Sequence, residues 1–314
     1  MDTALILMSR LLSMMLMVIV GYLIVKLHVI ESKEGRTLSS LVIYVLQPCL
    51  IFRSFQIQIT PERITGFLAV MLAGFVIYSV WILLTSLLRR PLGLNSIEIC
   101  SLIYGNVGNL MLPLINMMMG SEYVFYASAL QVPFNLFVWT HGFSSISGRR
   151  RFDFRWIISN PNIIAMVLGL LFCLFQLHMP EVVDTAMSGL AGMVGPSSML
   201  VIGIVIAGKN LQQVLALKRG YLISLGRLVL MPAVVLILFG LTGFLTRFPG
   251  LFKVMTVFFI STCAPPAATV SQLAVLYNQH PFECSVYNVL SMFACVLTMP
   301  LMLLLFQMLF GTVA

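Results

Sequence analysis

Long runs of apolar residues recur along the whole chain, each broken by only a few polar positions, and none alternates with a period of two. A helix needs about 20 apolar residues to cross the hydrocarbon core of a bilayer. On that ruler the runs predict ten spans, approximately 3–27, 38–55, 65–88, 96–119, 123–147, 158–177, 182–207, 218–245, 251–278 and 283–310. Continuous runs of this length exclude the alternating strands of an outer-membrane barrel. The predicted fold class is therefore all-α integral membrane. The connections reach only about ten residues, too short to hold a separate soluble domain.

Composition agrees with this pattern. Hydrophobic residues make up 60% of the 314 and charged residues 9%, with a mean hydropathy of +1.04, values that exclude a soluble globular chain. The first apolar run follows Asp2 without a basic leader or a small-residue cleavage site, so it is expected to be a retained helix.

The net charge of +8 changes the picture only through its placement. Lys26, Lys33 and Arg36 follow span one; Arg89 and Arg90 follow span three. Arg149, Arg150, Arg151 and Arg155 follow span five, and Lys209, Lys218 and Arg219 follow span seven. The other side has Arg53, Arg63, Arg247 and Lys253. By the positive-inside rule the first set is cytoplasmic and both termini are extracytoplasmic, in a cell inner (cytoplasmic) membrane. The Arg149–Arg151 run is either part of that topology signal or a lipid-headgroup or regulatory site. No basic stripe with interleaved aromatics marks a nucleic-acid partner.

Two halves of the chain resemble each other. VIVGYLIVKLHV (18–29) pairs with MVLGLLFCLFQLHM (166–179), and LVIYVLQPCLIF (41–52) with LAGMVGPSSMLV (190–201). Gly21 to Pro48 and Gly169 to Pro196 are both 27 positions. A five-helix unit has an odd number of crossings, so its second copy inserts upside down, the inverted-repeat plan of many secondary transporters. The expected organisation is a first repeat at 1–148, a short basic connection at 149–157 and a second repeat at 158–314.

Span four contains GNVGNLMLPLI, residues 105–115, with two Gly, two Asn and a Pro; span nine contains APPA, residues 264–267. Gly costs about 1 kcal/mol and Pro about 3 kcal/mol relative to Ala inside a helix, so both spans are expected to break. Backbone left unpaired at membrane depth is tolerated only when buried in protein or lining a wet cavity. Matching breaks in two inverted halves point to a substrate site at the midplane. Gly105 and Gly108 permit the unwound backbone, Asn106 and Asn109 supply amides, and Pro113 suits the first turn of a resumed helix. Two resumed half-helices would present positive N-terminal ends to one point, which favours an anion.

The GNVGNLMLPL of span four resembles the auxin efflux carrier family. So do GYLIVK in span one, LQPCLIF in span two, QVPFNLFVWT in span five, NPNIIAMVLGL in span six and APPA in span nine. The resemblance covers nearly the whole chain. It implies two inverted five-helix repeats, related to the bile-acid symporter and sodium/proton antiporter architecture, with broken spans four and nine crossing. Spans one, two, six and seven would be scaffold, and three to five and eight to ten a moving transport domain. It further implies that Asn106 contacts a substrate carboxylate with the crossover backbone around Gly108, Asn109, Pro113, Pro265, Pro266 and Ala267. A homodimer through scaffold helices is implied as well. Unlike plant members, this chain has no long loop between its halves, and its second crossover offers Ser261, Thr262 and Thr269 in place of an Asn.

Other polar residues within the spans leave alternatives open. Gln131, Asn135 and Asn288 either line the substrate path or join helices. Arg227 either attracts the anion or snorkels to the cytoplasmic face, and His141 either titrates or serves as a structural hydrogen-bonder. The ten carboxylates all fall at or near predicted span ends, which argues against obligatory proton or sodium coupling. The six Cys read as small core residues, and no metal or cofactor is expected. Without H-E-x-x-H, G-x-S-x-G or a central Asp the chain is not expected to be an enzyme. The expected function is a carrier exporting a small organic anion, a carboxylate, by alternating access and driven mainly by the membrane potential. The alternatives are a sodium- or proton-coupled symporter and, more remotely, a channel or intramembrane enzyme.

Overall fold

In the computed structural model the described residues, 2–56, 61–148, 159–208 and 211–311, form helices and no β-strand ladder. The basic connection at 149–157, including Arg149, Arg150, Arg151 and Arg155, lies outside the described residues, as does Lys209.

In chain order the helices are α1 (Asp2–Lys26), α2 (Ser32–Ser54), α3 (Pro61–Leu92), α4 (Ser96–Ile103), α5 (107–119), α6 (121–147) and α7 (Pro161–Leu174). They continue as α8 (Glu181–Ala207), α9 (Leu211–Ala216), α10 (Lys218–Thr242), α11 (Phe244–Arg247), α12 (Phe252–Thr262), α13 (Ala268–Leu276) and α14 (Pro281–Phe310). Five stretches among the described residues are long and apolar enough to cross a bilayer unaided, within α2, α3, α8, α10 and α14. Of the other predicted spans, span one is a continuous helix over Asp2–Lys26, span five has a turn at Leu130, and span six is shortened to Pro161–Leu174. Span four is divided into α4 and α5, and span nine into α12 and α13. The hydropathy ruler counts apolar residues without regard to backbone continuity, so it could not separate these cases.

Three prolines within the helices have a common local solution. Pro48, Pro113 and Pro232 each follow a wide π-turn by two residues, at Val42–Leu46, Val107–Met111 and Gly226–Leu230. In each turn the closing N–H, from Gln47, Leu112 or Met231, reaches back five residues to Val42, Val107 or Gly226. A proline ring clashes with the carbonyl four residues earlier and cannot donate to it. Widening the preceding turn moves that carbonyl aside and keeps the helix continuous.

Small residues set the packing between the halves. Gly21 of α1 lies on the backbone of α8, where an added Cβ would strike the carbonyl oxygen of Leu200. Gly203 of α8 reciprocates: its Cβ would strike Val18 O and come within 2.7 Å of Tyr22 N. Gly169 of α7, at the position matching Gly21, meets the end of α2, with Phe52 O at 3.0 Å. Thus the matched glycines each approach the second long helix of the other half. Close backbone contact of this kind supplies the van der Waals attraction that holds helices together where lipid is as apolar as the side chains. Asn162 of α7 adds a hydrogen bond, donating from Nδ2 to Ile43 O of α2 at 3.0 Å.

Gly203→Val should force α1 and α8 apart and destabilise the protein by about 1–3 kcal/mol, the usual cost of overpacking. Gly189→Val, on the same helix with nothing within 4 Å of its Cβ, should leave the thermal unfolding of detergent-solubilised protein unchanged. Equal unfolding temperatures for the two variants would overturn the packing argument.

Candidate functional site

Helix α4 starts with a reciprocal cap: Glu98 N–H donates to Asn95 Oδ1 and Asn95 N–H to Glu98 Oε2, both at 2.8 Å. It ends at Tyr104, whose backbone is extended (φ −95°, ψ 111°). Helix α12 ends at Thr262, and Cys263–Ala267 are non-helical before α13 resumes. The two breaks meet. Asn106 N–H donates to Pro265 O and Ala267 N–H donates to Tyr104 O, both at 2.8 Å, around an antiparallel bridge of Gly105 with Pro266.

This pairing explains why the second break tolerates adjacent prolines. Gly105 and Pro266 form the pair whose own N–H and C=O are not exchanged, so the missing donor of Pro266 is not needed by the bridge. Pro265 contributes only its carbonyl, and Pro266 O accepts from Asn288 Nδ2 of α14 at 3.0 Å. Each break therefore satisfies backbone groups that the other exposes, as membrane depth demands.

The C-terminal ends of α4 and α12 leave further carbonyls, and Arg227 takes them. Its Nε donates to Ala264 O at 2.9 Å, Nη1 to Leu102 O and Ile103 O at 3.1 Å, and Nη2 to Thr262 O at 3.2 Å. The guanidinium also stacks 5.1 Å from the ring centroid of Trp81 in α3. Trp81 is itself fixed by donating Nε1–H to Met231 O at 3.1 Å. Arg227 is 1% exposed, so it does not snorkel, and it is absent from the lining of the cleft described next. A permanent cation here offsets the negative ends of two half-helices.

On the other side of the crossing, the first residues of α5 and α13 open onto a cleft of about 20 Å³, room for roughly one water molecule. Asn106, Gly108, Gln131, Ala267 and Thr269 line it together, with Phe134 of α6 and with Gln47, Leu50, Ile51 and Ser54 of α2. Its polar groups are amides, hydroxyls and helix N-termini. No lining residue is an acid or a base. Asn106 is 4% exposed, and Gln131 Nε2 would lie 2.9 Å from a Cβ on Gly108, so the amide of α6 sits directly over the unwound end of α5.

The remaining sequence candidates fall around this core. Pro265 and Pro266 form the bridge. Asn135 donates Nδ2 to Gln131 O at 2.8 Å, one turn back on its own helix. The Oδ1 atoms of both Asn135 and Asn288 are buried without a hydrogen-bond partner. His141 Nδ1 lies 2.9 Å from Tyr104 Oη, and Tyr104 also donates to Phe137 O at 2.9 Å. It thereby steadies the residue that enters the first break. The side chains of Asn109 and Pro113 lie outside the described part of the structure.

Sequence reasoning overlooked two features. Gln47 and Ser54 of α2 reach the cleft, and only the polar interruption of an apolar span could have suggested them. Glu98, read as a helix-end carboxylate, is 2% exposed. It accepts from Arg219 Nε at 2.5 Å and Nη2 at 3.1 Å, and from Tyr287 Oη at 3.3 Å. Arg219, read as a topology signal, is thus also the ion-pair partner that ties α10 to α4, and it donates as well to Leu92 O and Gly93 O.

Gly105→Ala should displace the guanidinium, since the new Cβ would occupy the place of Arg227 Nη2 and approach Cζ to 2.9 Å. Each carbonyl left unpaired costs about 1–3 kcal/mol, so thermal stability should fall markedly. Gly108→Ala should cost less, because the end of a flexible Gln131 can move aside. The reverse order of stabilities would remove Arg227 from the centre of the crossing.

The family model described as membrane transport protein matches the chain twice, over residues 6–153 and again over residues 150–303. Comparison with curated proteins returned no match. Two successive matches take in nearly the whole chain, one in each half. This multi-pass membrane protein belongs to the auxin efflux carrier family of membrane transporters.

Proposed function

We propose that this transporter is a carrier that exports a small organic anion, a carboxylate, by alternating access. The observation that carries the reading is the crossing itself. Two interrupted helices are fastened at their negative ends by Arg227, while their positive ends open onto a cleft of neutral hydrogen-bonding groups. Such ends attract an anion without a fixed countercharge. Asn106 donates to the substrate carboxylate, assisted by Gln131 and Thr269, and Gln47 faces it from α2.

Ten crossings arranged as two inverted five-helix repeats fit this reading. Support comes from the two family matches, the antiparallel crossing and the reciprocal seating of Gly21 and Gly169. On that plan α1, α2, α7 and α8 form the scaffold, and the helices bonded through the crossing form the moving domain. Both termini are extracytoplasmic in the cell inner membrane, and scaffold helices pair two copies into a homodimer.

Driving force follows from the chemistry of the cleft. Its lining carries no acid to bind a proton or sodium, and Glu98 is engaged by Arg219 about 9 Å from the break along α4. The membrane potential suffices: expelling a monoanion from an inside-negative cell gains about 2.3 kcal/mol per 100 mV, a gradient of roughly fifty-fold.

The test is flux of radiolabelled carboxylates in proteoliposomes under an imposed potential, with sodium and pH gradients removed in turn. Potential-driven flux should persist without either gradient, and a strict requirement for one of them would establish a coupled symporter instead. Asn106→Ala should reduce flux by at least ten-fold while the protein stays monodisperse. Undiminished flux would sink the role given to Asn106.

A further inference from the structure

Among the described residues two charged side chains are buried, Glu98 and Arg227. Glu98 is neutralised by Arg219. Among the described residues Arg227 has no carboxylate within ion-pair distance: its four hydrogen bonds there all go to backbone carbonyls, which are dipoles and carry no net charge. The titratable groups facing it are Tyr78 of α3, Cys263 beside the second break and Cys295 of α14, all uncharged near neutral pH. A guanidinium does not lose its proton in a protein. The bonds of Arg227 reach α4 and the end of α12, and its stacking partner lies on α3. It is therefore fixed to the crossing and travels with it.

We infer that the crossing carries one uncompensated positive charge, so that the empty carrier moves charge across the membrane and the carrier loaded with a monoanion does not. This rests on the alternating-access reading and adds to it the class of substrate and the step at which voltage acts. A monocarboxylate brings the moving unit to zero net charge, which makes the loaded step indifferent to voltage. A dicarboxylate leaves it at minus one and is disfavoured. The export cycle still moves one negative charge outward, but the potential acts on the empty return. An inside-negative membrane draws the unloaded crossing back toward the cytoplasm. The bias reaches about fifty-fold per 100 mV where the whole field is traversed, and proportionately less in the exponent otherwise. Arg227 touches neither cleft nor substrate, so it acts as a positioning residue that also sets the charge of the moving unit.

The experiment applies voltage steps to patches of giant liposomes containing the whole protein, in chloride salts without any carboxylate. A transient charge displacement that saturates with voltage and returns in equal amount is expected. A saturating concentration, on both faces, of a monocarboxylate already shown by flux to be carried should suppress it. Arg227→Met should abolish the substrate-free displacement. Because that variant also strips four carbonyls of their donor, Cys295→Asp supplies a second route. It retains the guanidinium and places a carboxylate where a thiol faces it, and it too should abolish the displacement. Cys295→Asn, of similar size and neutral, should retain it. No displacement in the unmodified protein, or one that survives in Cys295→Asp, overturns the inference. If flux is observed while the displacement is absent, the carrier reading stands and only this charge assignment falls; if no organic anion is carried at all, the carrier reading falls first.

Discussion

The structure turns on one buried guanidinium bonded to the ends of two broken helices. A helix that stops inside a membrane leaves carbonyls without partners, and two such helices ending at one place bring their negative ends together. Neither condition is tolerable in hydrocarbon. Arg227 meets both with a rigid fork of donors that fits several carbonyls at once and a charge that does not depend on pH. Lys would offer three donors on a flexible stem and a charge that burial readily removes. The demands then spread outward. Gly105 has to lack a side chain because the guanidinium occupies that space, and Trp81 supplies the aromatic face against which it rests.

The prolines belong to the same logic. A proline is tolerated where its missing donor is not wanted and where its ring has room. The bridge uses Pro266 as the member of a pair that exchanges no hydrogen bond, and it uses Pro265 only as an acceptor. Within continuous helices a π-turn opens ahead of Pro48, Pro113 and Pro232. One of these turns contains Arg227, and another begins at the cleft. Local backbone irregularity is thus concentrated beside the crossing.

Much of this was legible in the sequence. GNVGNLMLPL and APPA are dense enough in helix-breaking residues to announce two interruptions, and the resemblance they carry agreed with the family that matches each half. Asn106, Gly108, Gln131, Ala267 and Thr269 do meet in one cleft. What could not be read were partners distant along the chain. Arg227 stands more than a hundred residues from Leu102, and Glu98 as far from Arg219. Hydropathy reports how apolar a stretch is and periodicity which face is buried, but neither says which helix lies across from that face. For that reason Arg227 looked like a choice between attracting an anion and snorkelling, whereas it caps helices, and nothing in the sequence singled out Gln47 for the cleft.

The cleft constrains how the proposed carrier could take up its substrate. Its walls belong on one side to α2 and on the other to α5, α6 and α13, and its volume is about 20 Å³, against the 300 Å³ or more that small-molecule sites usually enclose. The crossing is fastened on its far side by the bridge and by Arg227, so it cannot yield without breaking backbone pairs at membrane depth. On the proposed carrier reading, space for an organic anion would have to come from separating α2 from the crossing as a body. Amides and helix ends are suited to such a site, because they hold a carboxylate by hydrogen bonds that water can replace on release. A buried lysine or arginine at the same place would hold the anion through a charge pair that is costly to break. Placing the permanent charge on the far side of the crossing keeps its stabilising field while leaving the binding face weak enough to let go.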